Sequence, residues 1–282
     1  MTILVTGGNG QLGCALRLAS AESQHRFVFT DIEELDITSA TAVEEFFCRE
    51  KFDVVVNCAA YTAVDLAEDN EEQANLINHK AVAILADACK RHNATLIHIS
   101  TDYIFSGNAD TPYNEESAPA PISVYGRTKL AGERAILESG CKYIILRTAW
   151  LYSQFGRNFV KTMRELTATR SEIRVVADQI GTPTYAGDLA ETITYIINSG
   201  QLSKCGIYNY SNEGQCSWYD FAVEIARLSG NLGCKINPCA TADYPTKARR
   251  PQYSVLDKSK IIATFGLAIP KWRESLEGLF KR

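Results

Sequence analysis

The chain has 282 residues, with 29 Lys and Arg against 33 Asp and Glu, a formal net charge of −4 at pH 7, 46% hydrophobic and 22% charged residues. That balance excludes a disordered chain, and mild acidity with no basic tract argues against a nucleic-acid-binding surface. No apolar run approaches the roughly 18 residues of a membrane span, and the N-terminus Met1-Thr2-Ile3-Leu4-Val5-Thr6-Gly7 lacks the basic start of a signal peptide, so a cytoplasmic protein with no membrane partner is expected.

The first half alternates. Residues 3–6 read as a buried strand ending at Gly7-Gly8, and residues 11–20 carry apolar positions at helical spacing. A strand at 27–29, a helix over 39–48 and a strand at 53–56 follow. A long helix is predicted over 71–92, a strand at 95–99, a helix over 123–139 and a strand at 143–146. Apolar β runs alternating with helices imply a doubly wound α/β fold, a parallel sheet covered on both faces. Past residue 150 the rhythm breaks, and five of the eight prolines lie at or beyond 183. Helices are expected at 158–169, 187–198, 217–228 and 272–281. The organisation read is a dinucleotide-binding domain over 1–150 and a smaller mixed α/β substrate domain over 151–282, with the helix at 187–198 returning to the sheet.

Nine cysteines form no Cys-x-x-Cys pair, and the four histidines stand at no zinc spacing from them in sequence. Buried free thiols in a reducing compartment are expected, and no metal site.

Gly8-x-Gly10-x-x-Gly13 follows a strand and opens a helix, with Gly7 overlapping the pattern. A tight turn, a close backbone approach to a diphosphate and tight helix–strand packing each demand glycine there. The helix N-terminus then offers free N–H groups to the anion. Cys14 stands where a triphosphate-binding loop needs Lys. Asp31 ends the second strand about twenty residues on, placed to bond an adenosine ribose and to repel a 2′-phosphate. This reads as a Rossmann-type dinucleotide site, and the carboxylate alone favours NADH.

Tyr125 and Lys129 lie four apart on a predicted helix at the carboxyl edge of the sheet, where ligands bind in this architecture. A nearby ammonium is expected to lower the phenol's pKa and make it a usable proton donor. Lys129 is also placed to hold the nicotinamide ribose. The fourth strand ends in Ser100-Thr101-Asp102, and a hydroxyl from Ser100 or Thr101 would bond a reacting carbonyl beside Tyr125.

The segments at residues 5–13, 56–65 (Val-Asn-Cys-Ala-Ala-Tyr-Thr-Ala-Val-Asp), 100–105, 125–133, 147–152 and 178–184 together resemble the dTDP-4-dehydrorhamnose reductase family, within the extended short-chain dehydrogenases/reductases. The resemblance covers nearly the whole chain. It implies hydride transfer from NADPH or NADH to C4 of a dTDP-linked 4-keto-6-deoxy sugar, with Tyr125 donating the proton, Lys129 tuning it and Thr101 binding the substrate oxygen. It also implies a cofactor lining of Gly7, Gly10, Gln11, Leu12, Gly13, Asp31, Asp36, Ile37, Ala60, Tyr61 and Thr62, joined by Tyr125 and Lys129. Thr101, Asp102 and Trp150 would touch the sugar, and Asn158 and Arg250 the substrate diphosphate or nucleotide. Some members of the family dimerise through Mg²⁺ held by carboxylates. Here Ala15 stands where they place Glu, and Asp188 is the one expected survivor, so Mg²⁺ is doubtful and the choice between monomer and homodimer stays open. Two alternatives stand beside this reading: another nucleotide-sugar epimerase or reductase, and a catalytically silent regulatory subunit.

Overall fold

In the computed structural model, which describes residues 1–281, the first half folds in the order that the periodicity predicts. β1 (Thr2–Thr6), α1 (Gln11–Ala19), β2 (Arg26–Thr30), α2 (Ala40–Arg49) and β3 (Val54–Asn57) follow one another. A single turn of helix, α3 (Val64–Ala67), leads into α4 (Glu71–Asn75) and α5 (Ala81–Arg91), which are joined by a π-helical turn at Leu76–Lys80. The helix predicted over 71–92 therefore carries a widened turn in its middle, which apolar spacing does not report. β4 (Thr95–Thr101), α6 (Val124–Ser139) and β5 (Lys142–Thr148) complete this half.

Beyond residue 150 come β6 (Leu151–Tyr152), α7 (Phe159–Thr169), β7 (Glu172–Val176), β8 (Ile180–Gly181), β9 (Thr184–Tyr185) and α8 (Ala186–Asn198). They are followed by β10 (Gly206–Asn209), β11 (Cys216–Ser217), α9 (Trp218–Ser229), β12 (Lys235–Cys239), α10 (Ser259–Phe265) and α11 (Trp272–Lys281). β10 and α10 were not foreseen: both are short and lie between polar loops, where apolar periodicity is weakest.

Six strands form one parallel sheet in the order β10-β5-β4-β3-β1-β2. Successive side chains point to opposite faces, and both faces are buried. Ile3, Val5, Val54 and Val56 pack against α1, α8 and α10 through Leu16, Leu189, Ile193 and Phe265. Leu4, Val55 and Leu96 pack on the other face with Val43, Phe47, Leu85 and Ile136 of α2, α5 and α6. A separate core holds α7, α9 and α11 on the β7–β12 pair through Val160, Met163, Phe221, Ile225, Trp272 and Leu276.

The strand order reverses at β1, whose neighbours are β2 on one side and β3 on the other, and the crevice at the carboxyl ends of β1 and β3 is the binding position of such sheets. The glycine turn shapes it. Gly7 has φ +65°, and a Cβ there would stand 2.6 Å from the Ala59 nitrogen; a Cβ on Gly13 would collide with the Gly7 carbonyl. All nine cysteines are free; Cys48 and Cys205 are exposed, Cys14 and Cys58 half-buried and the other five buried. No helix among the described residues is long and apolar enough to cross a membrane.

Candidate active site

A cavity of about 520 Å³ opens at the switch point and is lined by Gly7, Gly10, Asp31, Asp36, Ile37 and Ala60 of the expected cofactor set. Sequence reasoning missed Ile32, Leu35, Leu76 and Ile77, which supply most of its apolar wall, and the polar Gln73 beside them. Asp31 is held at the rim, its Oδ2 accepting from the Asn9 N–H at 3.0 Å and its Oδ1 from the Ile32 N–H at 2.9 Å. Asp36 does not cap α2, a role taken by Ser39; its Oδ1 accepts from the Thr38 backbone and hydroxyl at 2.9 and 2.7 Å. Leu12 turns its side chain into the core, leaving its backbone N–H as the part free to serve an anion. Gln11 faces away from the crevice toward the second half of the chain, and Thr62 is exposed.

Tyr61 is placed by a residue that no pattern in one sequence reveals. Asn78, on the π-helical turn and fully buried, accepts from the Tyr61 N–H at 2.8 Å and donates to the Tyr61 carbonyl at 3.1 Å. Its amide also donates to the Thr128 hydroxyl on α6 at 3.2 Å. The widened turn thus ties the loop after β3 to the helix that carries Tyr125 and Lys129.

Tyr125 and Lys129 share one face of α6, whose N-terminus is capped by Ser123. The Tyr125 hydroxyl is hydrogen-bonded to Thr101, and its ring meets Tyr103 edge to face at 5.5 Å. Thr101 also donates to Asp102 Oδ1 at 3.0 Å, whereas the Ser100 hydroxyl is buried with no protein partner. Strand alternation therefore selects Thr101 over Ser100. Lys129 Nζ donates to the Ile99 carbonyl at 2.6 Å and lies 3.3 Å from His98 Nε2. The expected lowering of the phenol by the ammonium is not what the site shows. Burial pushes Tyr125 well above the usual phenol range, and burial lowers Lys129 to about 8. Asp102, also buried, is raised by desolvation to about 6.

Beyond β5, Trp150 holds a left-handed backbone (φ +49°) and stacks on Trp218 with ring centroids 3.6 Å apart. Strain of that kind in a non-glycine residue marks a position where geometry is over-determined by its surroundings. Phe159, Leu166, Val175 and Trp218 make the apolar wall of a cavity of about 310 Å³, and Arg174, Gln179 and Arg250 its polar rim. Arg250 donates to Asp65 Oδ2 at 2.6 Å and to the Tyr103 hydroxyl at 3.2 Å, so it joins this cavity to the Tyr125 neighbourhood. Asn158 is consumed structurally. It caps α7, and its amide donates to Gln11 Oε1 at 2.9 Å and to the carbonyls of Ser153 and Phe155.

The carboxylates for a bridging Mg²⁺ do not fit the ion. Ala15 is buried under α8, and Asp188 Oδ2 already accepts from the Asn212 amide at 2.6 Å and the Ser275 hydroxyl at 2.5 Å. Glu44, Cys48 and His92 do gather within 4.8 Å of one another on the surface, but Glu44 is spent on Arg91 and His92.

A Gly-rich turn at the switch point of a doubly wound sheet, with a Thr, Tyr and Lys set on β4 and α6 beside it, defines the extended short-chain dehydrogenase/reductase class. Residues 1–282 match the family model described as the RmlD substrate binding domain, and the chain belongs to that family. It is 41% identical to a dTDP-4-dehydrorhamnose reductase of Aggregatibacter actinomycetemcomitans over 98% of this chain and 97% of the relative. Among solved structures it is similar to a dTDP-4-dehydrorhamnose reductase of Clostridium acetobutylicum (TM-score 0.96, 43% identity, 100% of this chain and 99% of that one). A Bacillus anthracis dTDP-4-dehydrorhamnose reductase in complex with NADP superposes with TM-score 0.95 at 39% identity, covering 99% and 98%.

Proposed function

We propose that this protein reduces the C4 ketone of dTDP-4-dehydro-L-rhamnose to give dTDP-L-rhamnose, using NADPH or NADH, in the cytoplasm. The observation that carries the reading is the hydroxyl pair of Tyr125 and Thr101 at the carboxyl edge of β4, next to the dinucleotide crevice. Membership of the family and the similarity to named reductases support it.

The residues fit the dinucleotide. The backbone N–H groups from Gly10 to Leu12 would meet its diphosphate without using side-chain charge, and Asp31 its adenosine ribose. When bound, the reduced nicotinamide supplies the hydride. Tyr125 stays protonated at neutral pH because burial opposes the phenolate, so its O–H is available to the ketone oxygen as charge develops there. Thr101, hydrogen-bonded to that hydroxyl and donating its own proton to Asp102, holds the Tyr125 O–H in place at the edge of β4. Trp150, packed against the cluster of Ile104 and Phe105 just after Asp102, would bound the sugar with Thr101 and Asp102.

The apolar cavity walled by Phe159, Val175 and Trp218 is read as the seat of the thymine base. Arg250 is read as the diphosphate anchor, exchanging its bond to Asp65 for a phosphate whose geometry its fork matches. In this reading residues 1–150 chiefly serve the coenzyme and residues 151–282 chiefly the nucleotide sugar.

The test is turnover of dTDP-4-dehydro-L-rhamnose with each coenzyme, with and without a chelator, and identification of the sugar formed. Coenzyme oxidation yielding dTDP-L-rhamnose is expected, unaffected by chelation. No oxidation with that sugar, together with conversion of a UDP- or GDP-sugar, would overturn the assignment in favour of another nucleotide-sugar enzyme.

A further inference from the structure

His98 lies between two groups of fixed hydrogen-bonding polarity. On one side is Asn57, fully buried at the end of β3, whose Oδ1 accepts from the Ala59 N–H at 3.1 Å and the Thr6 hydroxyl at 2.8 Å. A backbone N–H can only donate, so the oxygen of this amide must face Ala59 and its nitrogen must face the other way. That nitrogen is 3.1 Å from His98 Nδ1. Nδ1 is therefore an acceptor, and a neutral imidazole in this position carries its proton on Nε2. The ring is fully buried, and burial together with Lys129 keeps it from protonating.

The Nε2–H then points at Lys129 Nζ, 3.3 Å away, while Nζ gives a hydrogen to the Ile99 carbonyl at 2.6 Å. An ammonium has three donors and no lone pair, so it would face another donor at Nε2. An amine completes the network: one N–H goes to Ile99, and the lone pair receives Nε2–H. Other groups around Nζ do not reverse this preference. Cys58, immediately after β3, is a buried thiol held in its neutral form. Glu133, one turn further along α6, favours the ammonium but is paired in two places with Arg147 of β5. Tyr125, one turn earlier, is a protonated phenol.

We propose that His98 is a positioning residue for Lys129: locked by Asn57 as the Nε2–H tautomer, it presents a donor to Nζ and sets the pH at which Lys129 exchanges ammonium for amine. Resting on the reductase reading, the consequence is a titration that turnover reports. As Tyr125 gives up its proton it becomes an anion, and an ammonium one turn away lowers the energy of that anion. Activity then falls as pH rises through the Lys129 titration, and His98 fixes where that fall lies.

Two measurements test this. In the unmodified protein without substrate, imidazole ¹⁵N spectra assigned to His98 are expected to show Nδ1 unprotonated and Nε2 protonated; the opposite tautomer, or an imidazolium, overturns the proposal. In the His98→Gln variant the side-chain oxygen accepts from an ammonium. The Lys129 titration, followed through its ¹³Cε shift, and the alkaline limb of kcat/KM are both expected to move up by roughly one pH unit. A uniform loss of activity with both titrations unmoved overturns the proposal and leaves His98 a packing residue. The spectra need no turnover, so a protein that reduces no dTDP-sugar defeats the reductase reading while the tautomer and the Lys129 titration still decide the role of His98.

Discussion

Both oxygens of Asp31 are engaged by backbone N–H groups, which orients its carboxylate at the rim of the crevice. Asp36 adds a second carboxylate to the lining, and no Lys or Arg among the described residues belongs to it. A 2′-phosphate would enter that field unpaired, so NADH is expected to be the better coenzyme. Asp31→Ala should move the ratio of kcat/KM for NADPH over NADH upward by about tenfold, the effect of one like-charge contact; an unchanged ratio would show that Asp31 does not face the ribose. Tyr125→Phe should cut turnover by at least ~10²-fold with the coenzyme Kd nearly unchanged, the scale of general acid catalysis. Asp102 makes a pH prediction. Its folded pKa of about 6 exceeds the unfolded value, so the folded protein holds the extra proton. Stability from this group is present below about pH 4 and is lost as pH rises through 6. Asp102→Asn should therefore raise stability to urea at pH 7 by about 1–3 kcal/mol, with little gain at pH 4 and a lower kcat/KM. Equal gains at both pH values would remove burial as the cause. These residues were legible because their types are rare at such positions. His98, Asn57 and Asn78 were not, since a buried polar side chain looks like any other until its partners from distant segments are known.

The element that matters most to the site is α6, and it is pinned at its start and in its second half. Ser123 caps its start, and Glu133 forms a two-point pair with Arg147 of β5 at 2.7 and 3.0 Å, both side chains almost wholly buried. Removing one member leaves an unpaired buried charge. Glu133→Gln is expected to cost about 3–5 kcal/mol in urea unfolding; a loss under 1 kcal/mol would show that water reaches Arg147. Apolar spacing predicted α6 to within a residue, and α2 and α7 equally well. It placed the 71–92 helix to within a residue too, but gave no sign of the π-helical turn at Leu76–Lys80, which inserts a single extra residue into an otherwise regular pattern. That defect turns Asn78 toward Tyr61 and Thr128, so the deviation from regularity is also what ties the loop after β3 to α6.

Across the whole molecule, two polar bridges join the halves around the site. Gln11 at the start of α1 accepts from Ser153 and Asn158, and Arg250 bonds Asp65 and Tyr103. Lys247 reaches Asp69 and the Ala248 N–H reaches Asp65, so the segment before Pro251 lies along the loop after β3. An arginine already held at the site's edge is preoriented for a diphosphate. Arg250→Met should raise KM for the dTDP-sugar by at least ~10-fold while the coenzyme KM stays within about twofold; a parallel rise in both would place Arg250 outside the sugar pocket. The fold class was legible in the alternation of strands and helices. The return of β10 and α10 to the sheet was not, because pairing across sixty residues leaves no local trace.

That return has a consequence for how the protein is made. β10 closes the sheet beside β5, and α8 and α10 cover the face that α1 shares. A ribosome that has released only the first 150 residues has released every residue lining the switch-point crevice, yet the nascent chain still presents a bare strand edge and an uncovered apolar face. Such fragments pair with one another readily. The six-stranded half is thus a product of the completed chain and not a module that precedes it, and a truncation after β5 should sediment as aggregate where the full chain stays dispersed.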